Sequence, residues 1–313
     1  MSLYKMIAVD IDGTLLNSKN ELSENTKKVL KEASDRGIFV VLTSGRISKN
    51  VLNFCNQIGA DKYLISENGA SIINLKTGEL EYSKYISKEV ANKVIDLCEE
   101  NSIYYMVYTQ EELIVKNIKY MSLFFYKQNY NPNARIKQVV AGRDYINATN
   151  SNITKLMICD EDRSIYRSII NKLKDIEEID VLPVPHTSVK KIKVDGEEKT
   201  LKYSYADISA KGANKWTAVE YLANKLGIKK SEIIAIGDNI NDMHMIYNAG
   251  LGVAMSNGSP YVRRIANKVA PSNDNDGVAQ IVEKYVLRWR VFLRDNKKNK
   301  FKMKKWIKKD YHL

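Results

Sequence analysis

Two acidic segments carry the most legible chemistry in this 313-residue chain. Asp10-Ile-Asp12-Gly13-Thr14-Leu15 places two carboxylates two residues apart at the end of a short apolar run, Lys5 to Asp10. Gly13 lets the backbone turn tightly beside them, so both acids can point into one cleft. Next to a hard divalent cation such a pair divides its work. One carboxylate, kept ionised by the metal, attacks an electrophile, and the other shuttles a proton. A bare Asp-x-Asp is equally what a polar strand end looks like, so the pair needs support from elsewhere. Gly237-Asp238-Asn239-Ile240-Asn241-Asp242 follows a second apolar run, Ile233 to Ile236, and adds two carboxylates and two amides. Asp238 and Asp242 are four apart, so a helical turn would set both on one face. Acids from two strand ends can converge on Mg²⁺, which takes carboxylate, phosphate and water oxygens. The competing reading is an Asx-rich turn that caps the following helix.

Two further segments suit an anionic substrate. Thr43-Ser44-Gly45-Arg46 follows a third apolar run and offers a hydroxyl with exposed backbone N–H groups at a helix start, a ready anion site. Lys215 opens another helix-like segment, where its ammonium can neutralise a phosphoryl oxygen as charge develops. A single Lys in a chain with 49 Lys and Arg is otherwise a surface charge.

The elements that must position these residues alternate. Lys5–Asp10, Ile38–Leu42 and Tyr63–Ser66 read as buried strands, with helices from Glu21 to Gly37 and from Ser48 to Ile58 between them. This spacing predicts a doubly wound α/β parallel sheet, with Asp10, Ser44 and Glu67 at the carboxyl ends of its strands, where such sheets bind ligands. From about Ser83 to Ser209 the chain turns rich in Tyr, Asn and Lys. Helix-like stretches near 88–101 and 163–175 alternate with strand-like ones near 104–108, 153–159 and 189–194, and Asp195-Gly196 is a hairpin signal. We read this as an α+β domain, residues 84–209, inserted into a core of residues 1–83 and 210–285. A helix from Asn214 to Leu226 and strands at 233–236, 252–255 and 268–270 resume the α/β pattern.

In this order the motifs Asp-Ile-Asp-Gly-Thr-Leu at 10–15, Thr-Ser-Gly-Arg at 43–46, Ser-Glu-Asn-Gly-Ala at 66–70, Lys-Gly-Ala-Asn-Lys at 211–215 and Gly-Asp-Asn-Ile-Asn-Asp at 237–242 resemble those of the haloacid dehalogenase (HAD) superfamily of phosphohydrolases. The likeness is to its Cof-type branch with an inserted C2-type (IIB) cap, and it spans about Lys5 to Tyr285. The resemblance implies a Rossmann-like core and Mg²⁺-dependent hydrolysis of phosphomonoesters through an aspartyl-phosphate. It makes Asp10 the nucleophile and a metal ligand, and Asp12 the general acid whose carbonyl also touches the metal. Ser44 and the Gly45 amide then hold the phosphoryl group, Lys215 bridges nucleophile and phosphate, and Asn241 contacts phosphate. Asp238 becomes the other direct metal ligand and Asp242 orients metal-bound water. Glu67 and Asn68 are expected on the same rim in a structural role. The implied substrates are small phosphorylated metabolites, sugar phosphates or cofactors such as flavin mononucleotide and pyridoxal phosphate. A phosphotransferase or mutase using the same aspartate is the alternative. Trp216 stands where the family usually has Gly, and 189–205 is longer than the usual approach to the lysine motif.

Composition bounds the rest. With 44% hydrophobic and 27% charged residues, 15 Gly and 5 Pro, the chain is neither disordered nor collagenous. Cys55, Cys98 and Cys159 are too few and too scattered for a disulfide framework or a zinc ribbon, which points to a reducing, cytoplasmic setting. Neither His186 nor His244 sits in a metal-ligand spacing, and no 18-residue apolar run predicts a membrane span. The net charge of +12 is concentrated at one end, because residues 286–313 carry eleven Lys or Arg against two acids. That segment interleaves Trp289, Phe292, Phe301 and Trp306 with its charges. The preferred reading is a solvated extension that docks its aromatics on the domain. Weak contact with a polyanion or an anionic membrane, tethering a binding protein with vestigial catalysis, is the alternative.

Overall fold

The computed structural model describes residues 3–48, 51–60, 62–119, 122, 135–139, 142–184, 188–194 and 197–288. The expected hairpin at 195–196, His186 and the basic extension from residue 289 onward lie outside them. The chain divides into two compact units: residues 1–42, 54–61 and 222–313, and residues 43–53 and 62–221.

In the first unit five strands lie in the order β15-β14-β13-β1-β2. They are β1 (Met6–Asp10), β2 (Phe39–Thr43, which ends at the unit boundary), β13 (Ile233–Gly237), β14 (Leu251–Met255) and β15 (Lys268–Ala270). β1 pairs parallel with β13 in the register Met6↔Ile233, β13 parallel with β14, and β14 parallel with β15. Every residue of β1, β2, β13 and β14 is buried, as the unbroken apolar runs require of strands covered on both faces. The unit's helices are α1 (Glu24–Asp35), α2 (Leu52–Ile58, whose first two residues fall in the second unit), α7 (Met243–Asn248), α8 (Pro260–Ile265) and α9 (Gly277–Val282). α1 is three residues shorter at its start than the sequence pattern, because the Ser23 hydroxyl accepts from the Thr26 amide at 3.1 Å and fixes the N-cap there. Ser23, Asn25 and Thr26 also donate to the Asp276 carboxylate, which ties α1 to the residue just before α9. The helix expected from Ser48 begins instead at Leu52.

The second unit opens with a meander of β3 (Tyr63–Ser66), β4 (Ser71–Asn74) and β5 (Leu80–Ser83), antiparallel throughout and bulged between Ile72 and Ile73. A second sheet runs β10-β12-β9-β6-β7-β8, with β11 paired to β12. Its strands are β6 (Tyr104–Thr109), β7 (Glu112–Val115), β8 (Arg135–Gln138), β9 (Ile153–Asp160), β10 (Ile179–Pro183), β11 (Ser188–Val194) and β12 (Glu197–Ala210). The helices here are α3 (Lys88–Glu100), α4 (Gly142–Ala148), α5 (Arg163–Leu173) and α6 (Lys215–Lys225), the last running into the first unit. Two-residue alternation along β6 explains its double burial. Tyr105 and Val107 join the core shared with α3 and α5, while Tyr104, Met106 and Tyr108 pack on the other face with Met157, Tyr203 and Ile47. Ile47 and Ala70, residues of the motif loops, are thereby bound into the hydrophobic clusters of this unit. The long segment noted before the lysine motif, 189–205, spans most of β11 and the first part of the 14-residue strand β12, which pair over Val194↔Glu197 to Ser188↔Tyr203.

Candidate active site

β1 ends on Asp10, which is 5% exposed, and the chain then makes a single irregular turn, Ile11–Leu15, rather than entering a regular helix. Gly13 holds φ +81, and a Cβ built on it would lie 2.6 Å from an Asp238 carboxylate oxygen, so only glycine lets the two acidic segments approach this closely. Thr14 Oγ1 donates to Asp238 Oδ1 at 3.2 Å. On the neighbouring strand, β13 ends at Gly237 and leads through a 3₁₀ turn, Ile240–Asp242, into α7. The Asp242 carboxylate is fully buried, and its Oδ2 accepts from the Asp238 and Asn239 amides at 3.0 Å each. Capping and metal binding, posed as rivals for this segment, are thus compatible. One Asp242 oxygen caps the turn, and one carboxylate oxygen from each of Asp10, Asp238 and Asp242 lies within 4.8 Å of the others. Asp12 and Asn241 are half-buried, and the Asp12 carboxylate is not part of that group.

Three carboxylates gathered so closely repel one another, and burial of Asp10 and Asp242 strengthens the repulsion by removing water. A hard cation resolves this conflict, and an all-oxygen donor set is what Mg²⁺ takes. The residues present therefore fit a divalent ion held by Asp10 and Asp238, with Asp242 adjacent. Sequence reasoning missed one part of the scaffold. Asn257 donates from Nδ2 to the Gly13 carbonyl at 2.8 Å and accepts the Asn273 amide at 3.0 Å, while Asn273 holds the Leu16 carbonyl. Asn257 lies 244 residues from Gly13 in sequence, and nothing local to it signals the pairing.

The second unit carries the other motif residues. Ser44 is fully buried; its amide donates to Ile65, its carbonyl accepts from the Asn68 amide, and its Oγ accepts from the Arg46 amide at 3.0 Å. A Cβ on Gly45 would meet Asn68 Oδ1 at 2.9 Å. Lys215 is fully buried at the first residue of α6. Asn214 caps that helix, its Oδ1 taking the Thr217 amide at 3.1 Å and its own amide donating to Thr217 Oγ1. Trp216 is 5% exposed and fills the core in the first turn instead of lying on the surface. Ser44, Gly45, Asn68 and Lys215 are thus drawn to one region through Gly69, whose Cβ position falls on the Asn214–Lys215 backbone. His244 lies exposed on α7.

Glu67 is the surprise of this loop. Expected on a rim, it is 6% exposed, sits at φ +55 and leaves Oε2 buried without a hydrogen-bond partner. Burial pushes its carboxyl up to about 7, against the opposing pull of a hydrogen bond with Ser71 and the charge of Lys155. A folded-state value above the ordinary 4.5 means that Glu67 favours folding while it can stay protonated, and that this contribution is lost as pH rises through 7. Glu67→Gln is therefore expected to gain on the order of 1–3 kcal/mol over wild type at pH 8 and little at pH 4.5. Thermal melting of both proteins across that range checks it. Parallel stability curves would show that Glu67 is already ionised and satisfied.

Parallel strands ending in convergent acids, in a chain that also carries an α+β cap unit, are the fold of a HAD-type hydrolase. Residues 7–282 match the haloacid dehalogenase-like hydrolase family, and the chain belongs to it. It is 31% identical over 299 residues to phosphatase YwpJ of Bacillus subtilis, covering 89% of this chain and 99% of that one. It is 26% identical over 283 residues to the 5-amino-6-(5-phospho-D-ribitylamino)uracil phosphatase YcsE of the same species, covering 90% and 96%. A solved haloacid dehalogenase-like hydrolase of B. subtilis superimposes with a TM-score of 0.71 at 25% identity, over 90% of this chain and 100% of the other. All three cysteines are buried thiols, those of Cys55 and Cys98 pushed up to about 12 by desolvation. Among the described residues no helix is long and apolar enough to cross a membrane.

Proposed function

We propose that this HAD-family phosphatase hydrolyses small phosphomonoesters with Mg²⁺ through an aspartyl-phosphate on Asp10. The observation that carries the reading is the convergence of Asp10, Asp238 and Asp242. When bound, Mg²⁺ supplies neutralisation and Lewis acidity at the phosphoryl oxygens. Asp10 attacks phosphorus, the bond to the leaving oxygen breaks, and Asp12 gives its proton to that oxygen. Asp12 then takes a proton from water, whose oxygen displaces Asp10 and releases inorganic phosphate. Ser44, the Gly45 amide, Lys215 and Asn241 hold the phosphoryl oxygens in line, and Asp242, next to Asp10 and Asp238, would help to hold the ion. The insertion selects the leaving group and excludes water. Sugar phosphates and phosphorylated cofactors are the favoured substrates, and the ribitylaminouracil phosphate named for one relative is of this kind.

Phosphate release from sugar, nucleotide, flavin and pyridoxal phosphates tests this directly. Turnover is expected on at least one of them with Mg²⁺, to fall at least 100-fold in excess chelator, and to return with added Mg²⁺ but not Na⁺. Activity indifferent to the chelator, or none on any of these esters, would reject the reading.

A further inference from the structure

Helix α5 presents a face that its own stability does not explain. Arg163, Arg167, Asn171 and Lys174 are exposed and spaced so that they share one side of the helix. They line a cleft of about 360 Å³ between that helix, the end of β10 at Pro183 with the adjacent Val184, and Ser204 of β12. No acidic residue lines it. Three cations elsewhere in the same unit do have carboxylate partners, Lys93 with Glu178, Arg143 with Asp96 and Lys211 with Asp180. Arg163, Arg167 and Lys174 have no carboxylate partner among the described residues. Arg163 is also the first residue of α5, where the helix dipole disfavours a cation, and Arg167 one turn on adds a like charge. The Asp162 carboxylate that precedes it is engaged at the N-cap by Ser164 and Ile165. The floor adds a second observation: Ser204 is 3% exposed, lines the cleft, and its hydroxyl makes no hydrogen bond among the described residues.

We propose that this cleft is a second binding site, for a small organic phosphate with a flat apolar body. Its charge would rest on Arg163, Arg167 and Lys174, relieving their mutual repulsion, and one oxygen would take the Ser204 hydroxyl. The body would lie along Tyr166, Ile170 and Val184, and the volume falls within the range of small-ligand sites. None of these residues belongs to the phosphatase motifs, so the inference stands whatever the substrate of the reaction.

The probe is adenosine 5′-(α,β-methylene)diphosphate, which resists hydrolysis, titrated into the full-length protein by calorimetry at low salt. Arg163→Glu/Arg167→Glu is expected to lose one saturable site, or to weaken it at least tenfold. Arg163→Gln/Arg167→Gln, which keeps helix propensity, shifts affinity the same way. Lys304→Glu/Lys305→Glu, in the basic extension, leaves it within twofold. Sites equal in number and affinity in wild type and the arginine variants would overturn the proposal. So would an absence of saturable binding to wild type, or an equal loss in the extension variant.

Discussion

Asp10→Asn is expected to reduce phosphate release by ~10⁴-fold or more, the scale on which hydrolases lose activity with their nucleophile. The amide keeps the shape of the side chain at the end of β1 but cannot form the acyl phosphate or offer a charged oxygen to the metal. A second consequence separates this from simple damage to the fold. In chelator the wild type must hold Asp10, Asp238 and Asp242 together, their oxygens within 4.8 Å, with the cation withdrawn. Removing one charge relieves that repulsion, so the variant should melt no lower than wild type without metal and should gain less from added Mg²⁺. Phosphate release at more than 1% of the wild-type rate would remove Asp10 from the nucleophile's place. A lower melting temperature in chelator would show that the three acids are not in electrostatic conflict.

Much of this frame was readable from local pattern. The unbroken apolar runs at β1, β2 and β13 could only be strands covered on both faces, and polar residues directly after such strands had to emerge at their carboxyl ends. Residues that stand at or just after a strand end, such as Asp10 and Ser44, are visible for that reason. What stayed hidden depends on contacts across the sequence. β4 and β5 escaped notice because Ser71–Asn74 and Leu80–Ser83 are short and carry neither a long apolar run nor clean alternation. The support that Asn257 gives to the Gly13 carbonyl joins the turns after β14 and β1, brought near by the strand order β14-β13-β1. Glu67 looked like one more polar residue after a strand. Its burial follows from three successive residues at positive φ, Glu67, Asn68 and Gly69, which curl the chain inward. Trp216 stood out only as a departure from the family's Gly beside Lys215, and its burial could not be inferred from a helix start alone.

Gly69→Ala is expected to cost on the order of 3–5 kcal/mol of stability, with activity falling about 100-fold or more in what remains folded. Gly69 adopts φ +93, and a Cβ there would stand 2.2 Å from the Asn214 carbonyl oxygen and 2.8 Å from the Lys215 nitrogen. Both are backbone atoms at the start of α6, so no rotamer change relieves the clash; either that helix or the 66–70 loop must move. The loop is not independent, because the Asn68 amide holds the Ser44 carbonyl at 2.8 Å and the Glu67 amide holds Arg46 at 2.9 Å. Displacing it shifts Ser44 and Lys215 relative to each other, and misplacement by 1 Å is enough to lose two orders of magnitude in rate. Gly78→Ala is the control. Gly78 has φ +75, yet a Cβ on it meets nothing within 4 Å, so it carries only the left-handed backbone penalty of about 1–2 kcal/mol and leaves activity intact. Chemical denaturation of both variants, with kcat measured alongside, reads the difference. Equal destabilisation at the two positions would mean that backbone conformation, not the close approach to Asn214, is why glycine is needed at 69.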